Sequence, residues 1–144
     1  MATVSPQLGI TQTIILPQSE ILTLFSVPAL ICPGGGGYIN VFERAVLVYN
    51  FRNTVFTNVN NVLAFYVQPT VGSPVLVSNS LNGTNIIGLD QNTNSNFIPA
   101  NPYTQLMSTS ANAPLVLTIA GSNPTGGDPS STLSVVITYN IFQQ

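Results

Sequence analysis

The C-terminal part of the chain alternates between apolar and polar side chains with the two-residue period of a β-strand. In "TLSVVITYNIF" the set predicted to face a core is Leu133, Val135, Ile137, Tyr139 and Ile141. "PLVLTIA" repeats the pattern, with Leu115, Leu117 and Ile119 on one face. The segment between them, "GSNPTGGDPSS", consists of strong turn formers. The pattern predicts two strands joined as a C-terminal β-hairpin.

A second hairpin is predicted at Asn82-Gly83, which lies between two apolar runs. This dipeptide favours a type I′ turn, because both central residues of that turn need a positive φ. With Thr84 it also matches a glycosylation acceptor, but no secretion signal precedes it, so we interpret it as a turn. "NVLAFYVQP" is a further strand, ended by Pro69.

At most one short helical turn is expected, near Ser19–Leu24. Ser19 is positioned to cap it, and Ile21, Leu24 and Phe25 follow the spacing of one helical face. Elsewhere the pattern indicates eight to ten short strands, joined by Gly, Pro, Asn and Ser turns. We therefore expect an all-β chain whose residues 1–144 form a single-domain antiparallel β-sandwich resembling a jelly roll. Residues 1–18 are expected to be an N-terminal arm or strand engaged in assembly contacts.

Charge is almost absent from this sequence. Asp, Glu, Lys and Arg make up 4% of residues, against about 25% in a typical soluble domain. Hydrophobic residues make up 44%, so the chain can build a core and is not disordered. Two arginines cannot neutralise a run of phosphates or dock on an anionic bilayer, which argues against nucleic acid and membrane as partners.

The first residues lack the positive segment of a signal peptide. The longest apolar run, "ILTLFSVPALIC", is interrupted by Ser26 and Pro28 and is too short to cross a bilayer. We expect a soluble protein made in the cytosol.

The segment "ICPGGGGYINVFERAVLVYN" could be a phosphate-binding loop or a bend that leads into a strand. A phosphate loop needs a lysine and a following helix. The protein contains no lysine, and a β-type run follows Gly37. The glycines are therefore predicted to form a flexible bend before a long strand.

Glu43 and Arg44 are adjacent in that strand. Strict alternation places Glu43 with Ala45 and Leu47, and Arg44 with Phe42 and Val46, so the two charges cannot pair with each other. The side chain that points inward would need a partner, since an unpaired buried charge is costly. A structural ion pair or an intersubunit contact is favoured over catalysis.

No catalytic or cofactor-binding residue emerges from the remaining polar groups. Without histidine or lysine as a base, no triad is available, and Cys32 is interpreted as a small buried hydrophobe. A zinc site is excluded because the chain has no histidine and only one cysteine, and these are the usual zinc ligands. Asp90, Asn92 and Asn94 match half of a calcium loop, but glycine and the bidentate glutamate are missing, so we expect no metal. The chain is not expected to be an enzyme.

Sheet edges are usually protected by lysines and other charges. This chain has few to place there, apart from prolines such as Pro28 and Pro74. Neighbouring subunits are then expected to cover its edges, which predicts an obligate oligomer or a place in a larger assembly.

Three segments together resemble the small jelly-roll decoration, or cement, proteins on the capsids of tailed bacteriophages. They are "SVPALICPGGGGYINVFERAVLVYNF" preceded by Ser19-Glu20-Ile21-Leu22, then "NTVFTNVNNVLAFYV", and finally "NAPLVLTIAGSNPTGGDPSSTLSVVITYNIF". Phe56-Thr57 and Asn60-Asn61 fit the family's middle segment, and Thr125-Gly126-Gly127-Asp128 fits its last loop. Tyr38 departs from the lysine or arginine that often follows the glycine bend.

The resemblance implies a homotrimer on the outer face of a virion capsid, bound to the major capsid protein and assembled in the host cytoplasm. An exposed crown is expected over 84–101, including Asn92, Asn94, Asn96 and the nearby Tyr103. Expected assembly contacts are Thr11, Thr13, Ile15, Gly34, Gly37, Tyr38, Glu43, Arg44 and Arg52.

Two alternatives remain open from the sequence. One is a host-recognition module that binds glycans through Phe97 and Tyr103 beside Asp90 and Asn101. The other is a structural component of the phage tail or neck, which would differ from a capsid protein only in its location.

Overall fold

The computed structural model describes residues 7–68, 73–100 and 112–143. These residues form strands and two short helical segments. In chain order they are β1 Gln7–Pro17, α1 Gln18–Ile21, β2 Ala29–Cys32, β3 Tyr38–Asn50, β4 Phe56–Thr57, β5 Val62–Val67, β6 Val75–Leu76, β7 Leu81–Asn82, a 3₁₀ turn Gly83–Asn85, β8 Thr93–Phe97, β9 Leu115–Ile119, β10 Thr125–Gly126 and β11 Thr132–Gln143.

Two antiparallel sheets form a sandwich. The four-stranded sheet has the order β1-β11-β3-β8, and the five-stranded sheet has the order β2-β9-β5-β6 with β7 also paired to β5. Successive long strands thus alternate between the sheets, and strands from the two ends of the chain lie side by side, as in a jelly roll. A short ribbon, β10-β4, lies beside them. The predicted all-β antiparallel sandwich is confirmed.

The core is a layer of apolar side chains between the two sheets. At its centre Phe65 of β5 stacks on Phe42 of β3, with ring centroids 5.2 Å apart, and meets Phe97 of β8 edge-on at 5.3 Å. All three rings are buried. Because Phe65 belongs to one sheet and its two partners to the other, this cluster holds the sandwich together across the core.

The predicted burial faces of the C-terminal strands are correct, but their predicted pairing is wrong. Leu115, Leu117 and Ile119 are buried, as are Leu133, Val135, Ile137 and Tyr139, while Ile141 is partly buried. However, β9 pairs with β2 and β5, whereas β11 pairs with β1 and β3. The segment after β9 therefore crosses from one sheet to the other. Alternation reveals which face of a strand is buried and does not reveal its neighbour.

The predicted type I′ hairpin at Asn82-Gly83 is also wrong. Asn82 has a φ of -75° and caps the 3₁₀ turn, because its side chain accepts a hydrogen bond from the Thr84 N–H at 2.9 Å. Glycine is needed at position 83 for space: a Cβ there would lie 2.6 Å from the Val59 carbonyl oxygen. Asn82 therefore acts as a helix cap, and Gly83 allows two backbone segments to approach each other closely.

The single helical turn near Ser19–Leu24 is confirmed as α1. Its N-cap is Pro17, so the expected capping role of Ser19 is wrong. Ile21 and Leu24 are buried in the core, whereas Phe25 remains 46% exposed. Among the described residues, no helix is long and apolar enough to span a membrane.

Candidate assembly surface

The side of the four-stranded sheet turned away from the core gathers many of the residues expected to make contacts. We call this side the outer face. Side chains directly opposite one another in an antiparallel sheet share a face, so the strand register defines its rows. The rows are Ile15–Ser134–Val48–Asn94, Thr13–Val136–Val46–Asn96, and Thr11–Thr138–Arg44.

The outer face is almost uncharged. Its central rows carry β-branched and hydroxyl side chains, and Asn94 and Asn96 add exposed amides at one edge. Thr11 and Thr138 share a hydrogen bond of 3.0 Å between their hydroxyls. Arg44 supplies the one charge in these rows. Such a surface can bind through apolar packing and neutral hydrogen bonds, which salt screens little.

Glu43 and Arg44 do not point to opposite sides, so that prediction is wrong. Thr138 pairs with Arg44 and the next residue, Tyr139, pairs with Phe42, which makes Glu43 an extra residue in β3. This β-bulge shifts the alternation. Phe42 and Ala45 both face the core, and both charged side chains are exposed. Neither needs a buried partner, and within the described part of the chain no ion pair engages them.

The other expected contact residues lie away from the outer face rows. Gly34 and Gly37 belong to the bend that precedes β3, and Tyr38 is the first residue of β3, beyond the bulge. Arg52 follows the opposite end of β3, where its backbone N–H donates to the Ser131 hydroxyl at 3.1 Å. The structure thus unites Thr11, Thr13, Ile15 and Arg44 on one face, with Glu43 exposed beside Arg44 at the bulge, and leaves Gly34, Gly37, Tyr38 and Arg52 elsewhere.

The glycine bend connects β2 of one sheet to β3 of the other, as expected for a bend that leads into a strand. It is held by several hydrogen bonds. The Gly37 N–H donates to the Asn112 side chain at 2.7 Å, and the Asn112 N–H donates to the Tyr38 carbonyl at 2.9 Å. Gly35, Gly36 and Gly37 all have positive φ values. Hydrogen bonding to Asn112 makes this a defined turn.

Cys32 is buried beside Gln12 and Tyr139. Burial raises the pKa of its thiol to about 11, although hydrogen bonds with Tyr139 and Gln12 act in the opposite direction. The Gln12 amide donates to its sulfur at 3.7 Å. At neutral pH the thiol is therefore protonated, and the interpretation of Cys32 as a small buried hydrophobe agrees with its position.

The Asn-rich stretch around β8 lies at the surface. Asn92, Asn94 and Asn96 are exposed, as is Asp90, while Tyr103 lies outside the described residues. The side-chain oxygen of Asn92 accepts a hydrogen bond from the Phe51 N–H at 2.9 Å, so it braces the chain after β3. Among the described residues no cluster of acidic, histidine or cysteine side chains could hold a metal ion.

Phe97 cannot serve as an aromatic platform for a glycan. Phe97 is 1% exposed and packs edge-on against Phe65 in the core, so it cannot offer its ring to a sugar. Tyr103 and Asn101, the other expected members, lie outside the described residues. The position of Phe97 as the last residue of a period-two run, after Thr93 and Ser95, would have indicated its burial.

Alternation along the sequence does not predict the exposed apolar side chains between β1 and β2. Val27 and Leu30 are 64% and 56% exposed and lie with Ile15 along a groove of about 390 Å³ at the edge where β1 and β2 approach each other. The Gln12 side chain crosses this edge and donates to the Ile31 carbonyl at 2.9 Å. These residues come together only when the two sheets stack, so alternation within one strand cannot reveal them.

No protein-family model matches this sequence, and no curated protein matches it. A solved structure with a similar chain is the capsid of Ralstonia phage GP4. The match covers 100% of this chain and 91% of that chain, with 15% sequence identity and a TM-score of 0.36.

Proposed function

We propose that this protein is a non-enzymatic virion structural protein that decorates the outside of a phage head and cements neighbouring capsomers. The observation that carries the proposal is the outer face, a broad sheet surface with one charge among its rows of Thr, Val, Ser and Asn. A protein that works while covered by neighbours needs few charges on its surface. The sequence resemblance to capsid decoration proteins supports the same role, with the major capsid protein as partner.

The dimensions of the outer face suit docking. Three strands over about nine residues each and β8 over five, at about 3.4 Å per residue and about 4.8 Å between strands, give a surface of roughly 500 Å². A standard interface covers about 800 Å² per partner, so this face with its rim is large enough for one contact. Repetition over a shell multiplies a modest affinity through avidity. In the homotrimer that the resemblance implies, three such faces would act together.

Arg44 gives the docking a preferred register. It is exposed in the third row of the outer face, next to the exposed Glu43 of the bulge. A carboxylate on the capsid subunit opposite Arg44 would form a charge-assisted hydrogen bond. The remaining rows would contribute apolar packing, which hardly depends on salt. Binding is therefore expected to change little between low and high ionic strength, in contrast to decoration through a charged patch.

The test compares particles with and without this protein. Particles stripped of it and then heated are expected to release DNA at a lower temperature than decorated particles, and adding the protein back restores the higher temperature. Equal release temperatures would contradict the cementing role.

Asn96→Glu on the outer face should weaken rebinding at least tenfold, because it places an unpaired charge in the contact. The matched control is Asn85→Glu, an exposed asparagine in the 3₁₀ turn, which should rebind normally.

A tail or neck component would use the same surface and differ only in location, so it is the outcome indicated if purified heads do not bind the protein. The glycan-binding alternative loses its central residue, because Phe97 is buried.

A further inference from the structure

The described sheets end in edges of very different length. β1 forms one edge of the four-stranded sheet, with eleven residues, nine of them in register with β11. The opposite edge, β8, has five residues, and β2 and β6 at the edges of the other sheet have four and two. Within the described part of the chain, no strand pairs with the free side of β1. β1 therefore presents the longest free edge of the described fold.

This edge lacks the features that usually prevent strand pairing. Natural proteins protect edges with charges, prolines or bulges in the middle of the strand. β1 has no charged residue, its proline is the last residue, and its register shift lies at the start, between Gln7 and Ile10. From Ile10 to Leu16 the strand is regular and neutral. Thr11, Thr13 and Ile15 on its outer side are exposed.

Apolar side chains lie directly beside the same edge. Ile15, Val27 and Leu30 are 62%, 64% and 56% exposed and line the groove between β1 and β2. A partner strand added to β1 would extend the sheet past this groove and cover these three side chains. The edge thus combines free backbone groups with apolar surface, which is the combination that strand addition uses.

We propose that β1 pairs antiparallel with β1 of a second copy of this chain, which joins two four-stranded sheets into one continuous eight-stranded sheet. An antiparallel pair of identical strands obeys a two-fold axis, so each copy contributes the same surface. The neutrality of the strand matters here, because self-pairing across an axis would bring like charges together if β1 carried any. β1 has none from Gln7 to Pro17.

The area of this contact is that of a stable interface. The eleven residues of β1 at about 3.4 Å each, across a sandwich edge roughly 20 Å thick with its side chains, give about 750 Å² per partner. That is close to the standard value of about 800 Å². The pairing also doubles the outer face, because the rows of the two copies continue into each other. The β1 pairing does not depend on the proposed function. If the chain also forms a three-fold contact elsewhere, the two-fold and three-fold contacts together predict six copies.

A matched pair of charge variants tests the proposal. Thr13 and Asn96 lie in the same row of the outer face, at opposite edges of the sheet. Thr13→Lys should lower the measured mass of the purified protein twofold, from dimer to monomer or from hexamer to trimer, and leave the circular dichroism spectrum unchanged. Asn96→Lys should keep the original mass. An odd number of copies in the wild type, or no change with Thr13→Lys, would overturn the proposal.

Cross-linking supplies a second measurement that does not depend on disrupting the contact. With Cys32 buried, single cysteines introduced by Thr11→Cys, Thr13→Cys and Ile15→Cys can be oxidised without interference. At least one of them lies near the two-fold axis and should give a disulfide-linked dimer on a non-reducing gel. Asn94→Cys, on β8, should stay monomeric on the same gel. Cross-linking from β8 but from no position on β1 would show that copies meet through another edge. Asn96→Glu protein that loses particle binding but keeps the wild-type mass would separate the two proposals.

Discussion

Replacing Phe65 by alanine should cost more stability than any other aromatic truncation in the core. Its ring is fully buried and contacts Phe42 and Phe97 from the opposite sheet at centroid distances of 5.2 and 5.3 Å. Phe→Ala in a core costs about 3–5 kcal/mol, because burial is lost and a cavity remains. For a domain of this size that corresponds to a fall in thermal midpoint of roughly 10–15 °C. Chemical denaturation monitored by tyrosine fluorescence measures it.

The matched control is Phe25→Ala, at a phenylalanine that is 46% exposed. Its loss should stay below about 1 kcal/mol, as for most partly exposed positions. If the two variants lost equal stability, the two sheets would not be held together through the Phe65 cluster.

Gly34→Ala should be the most damaging change in the glycine bend. A Cβ on Gly34 would lie 2.7 Å from the carbonyl carbon of Ala113, and a backbone group cannot rotate away as a side chain can. The bend would have to shift and weaken the hydrogen bonds that Gly37 and Tyr38 make with Asn112. We expect a loss of about 3 kcal/mol, the upper range for overpacking a filled site. Thermal unfolding of the purified variant measures it.

Gly37→Ala separates this steric effect from backbone strain. Gly37 has a φ of +74°, but no described atom lies within 4 Å of its Cβ position. The variant should lose only about 1–2 kcal/mol, the cost of a left-handed conformation for a residue with a side chain. A larger loss for Gly37→Ala than for Gly34→Ala would contradict the packing of the bend against Asn112 and Ala113.

The sequence predicts the fold class because burial of each strand face is a local property. Leu115, Leu117 and Ile119 alternate with less apolar neighbours, and the structure buries all three. Strand neighbours are set by contacts between distant residues. β9 and β11 are consecutive long strands, yet they belong to different sheets. The predicted hairpin failed because a connecting segment rich in turn formers can equally carry the chain across a sandwich.

Local exceptions to alternation account for the other errors. The bulge at Glu43 changes which side chains of β3 face the core, and nothing in "NVFERAV" marks the extra residue. Asn82 caps a 3₁₀ turn because its side chain reaches the Thr84 N–H, an option that competes with the hairpin at every Asn-Gly. Both outcomes depend on the surrounding sheet.

The expected assembly contacts were partly brought together. Thr11, Thr13 and Ile15 were predicted to lie in an arm, and they form the exposed side of β1, in register through β11 with Arg44 on β3. The sequence does not show that Arg44 lies within β3 and Arg52 beyond its end, because the end of β3 at Asn50 is set by the pairing of Asn50 with Thr132. Val27 and Leu30 become neighbours of Ile15 only through the stacking of the two sheets.

The central claim is that this chain covers the outside of a phage head with the outer face of its four-stranded sheet against the shell. An electron-microscopy map of the intact particle tests it most directly. We predict density for the sandwich on the head surface where capsomers meet, with the row of Thr13, Val46 and Asn96 in contact with capsid protein. Density at the tail, or a sandwich on the head with that row turned to solvent, would contradict it.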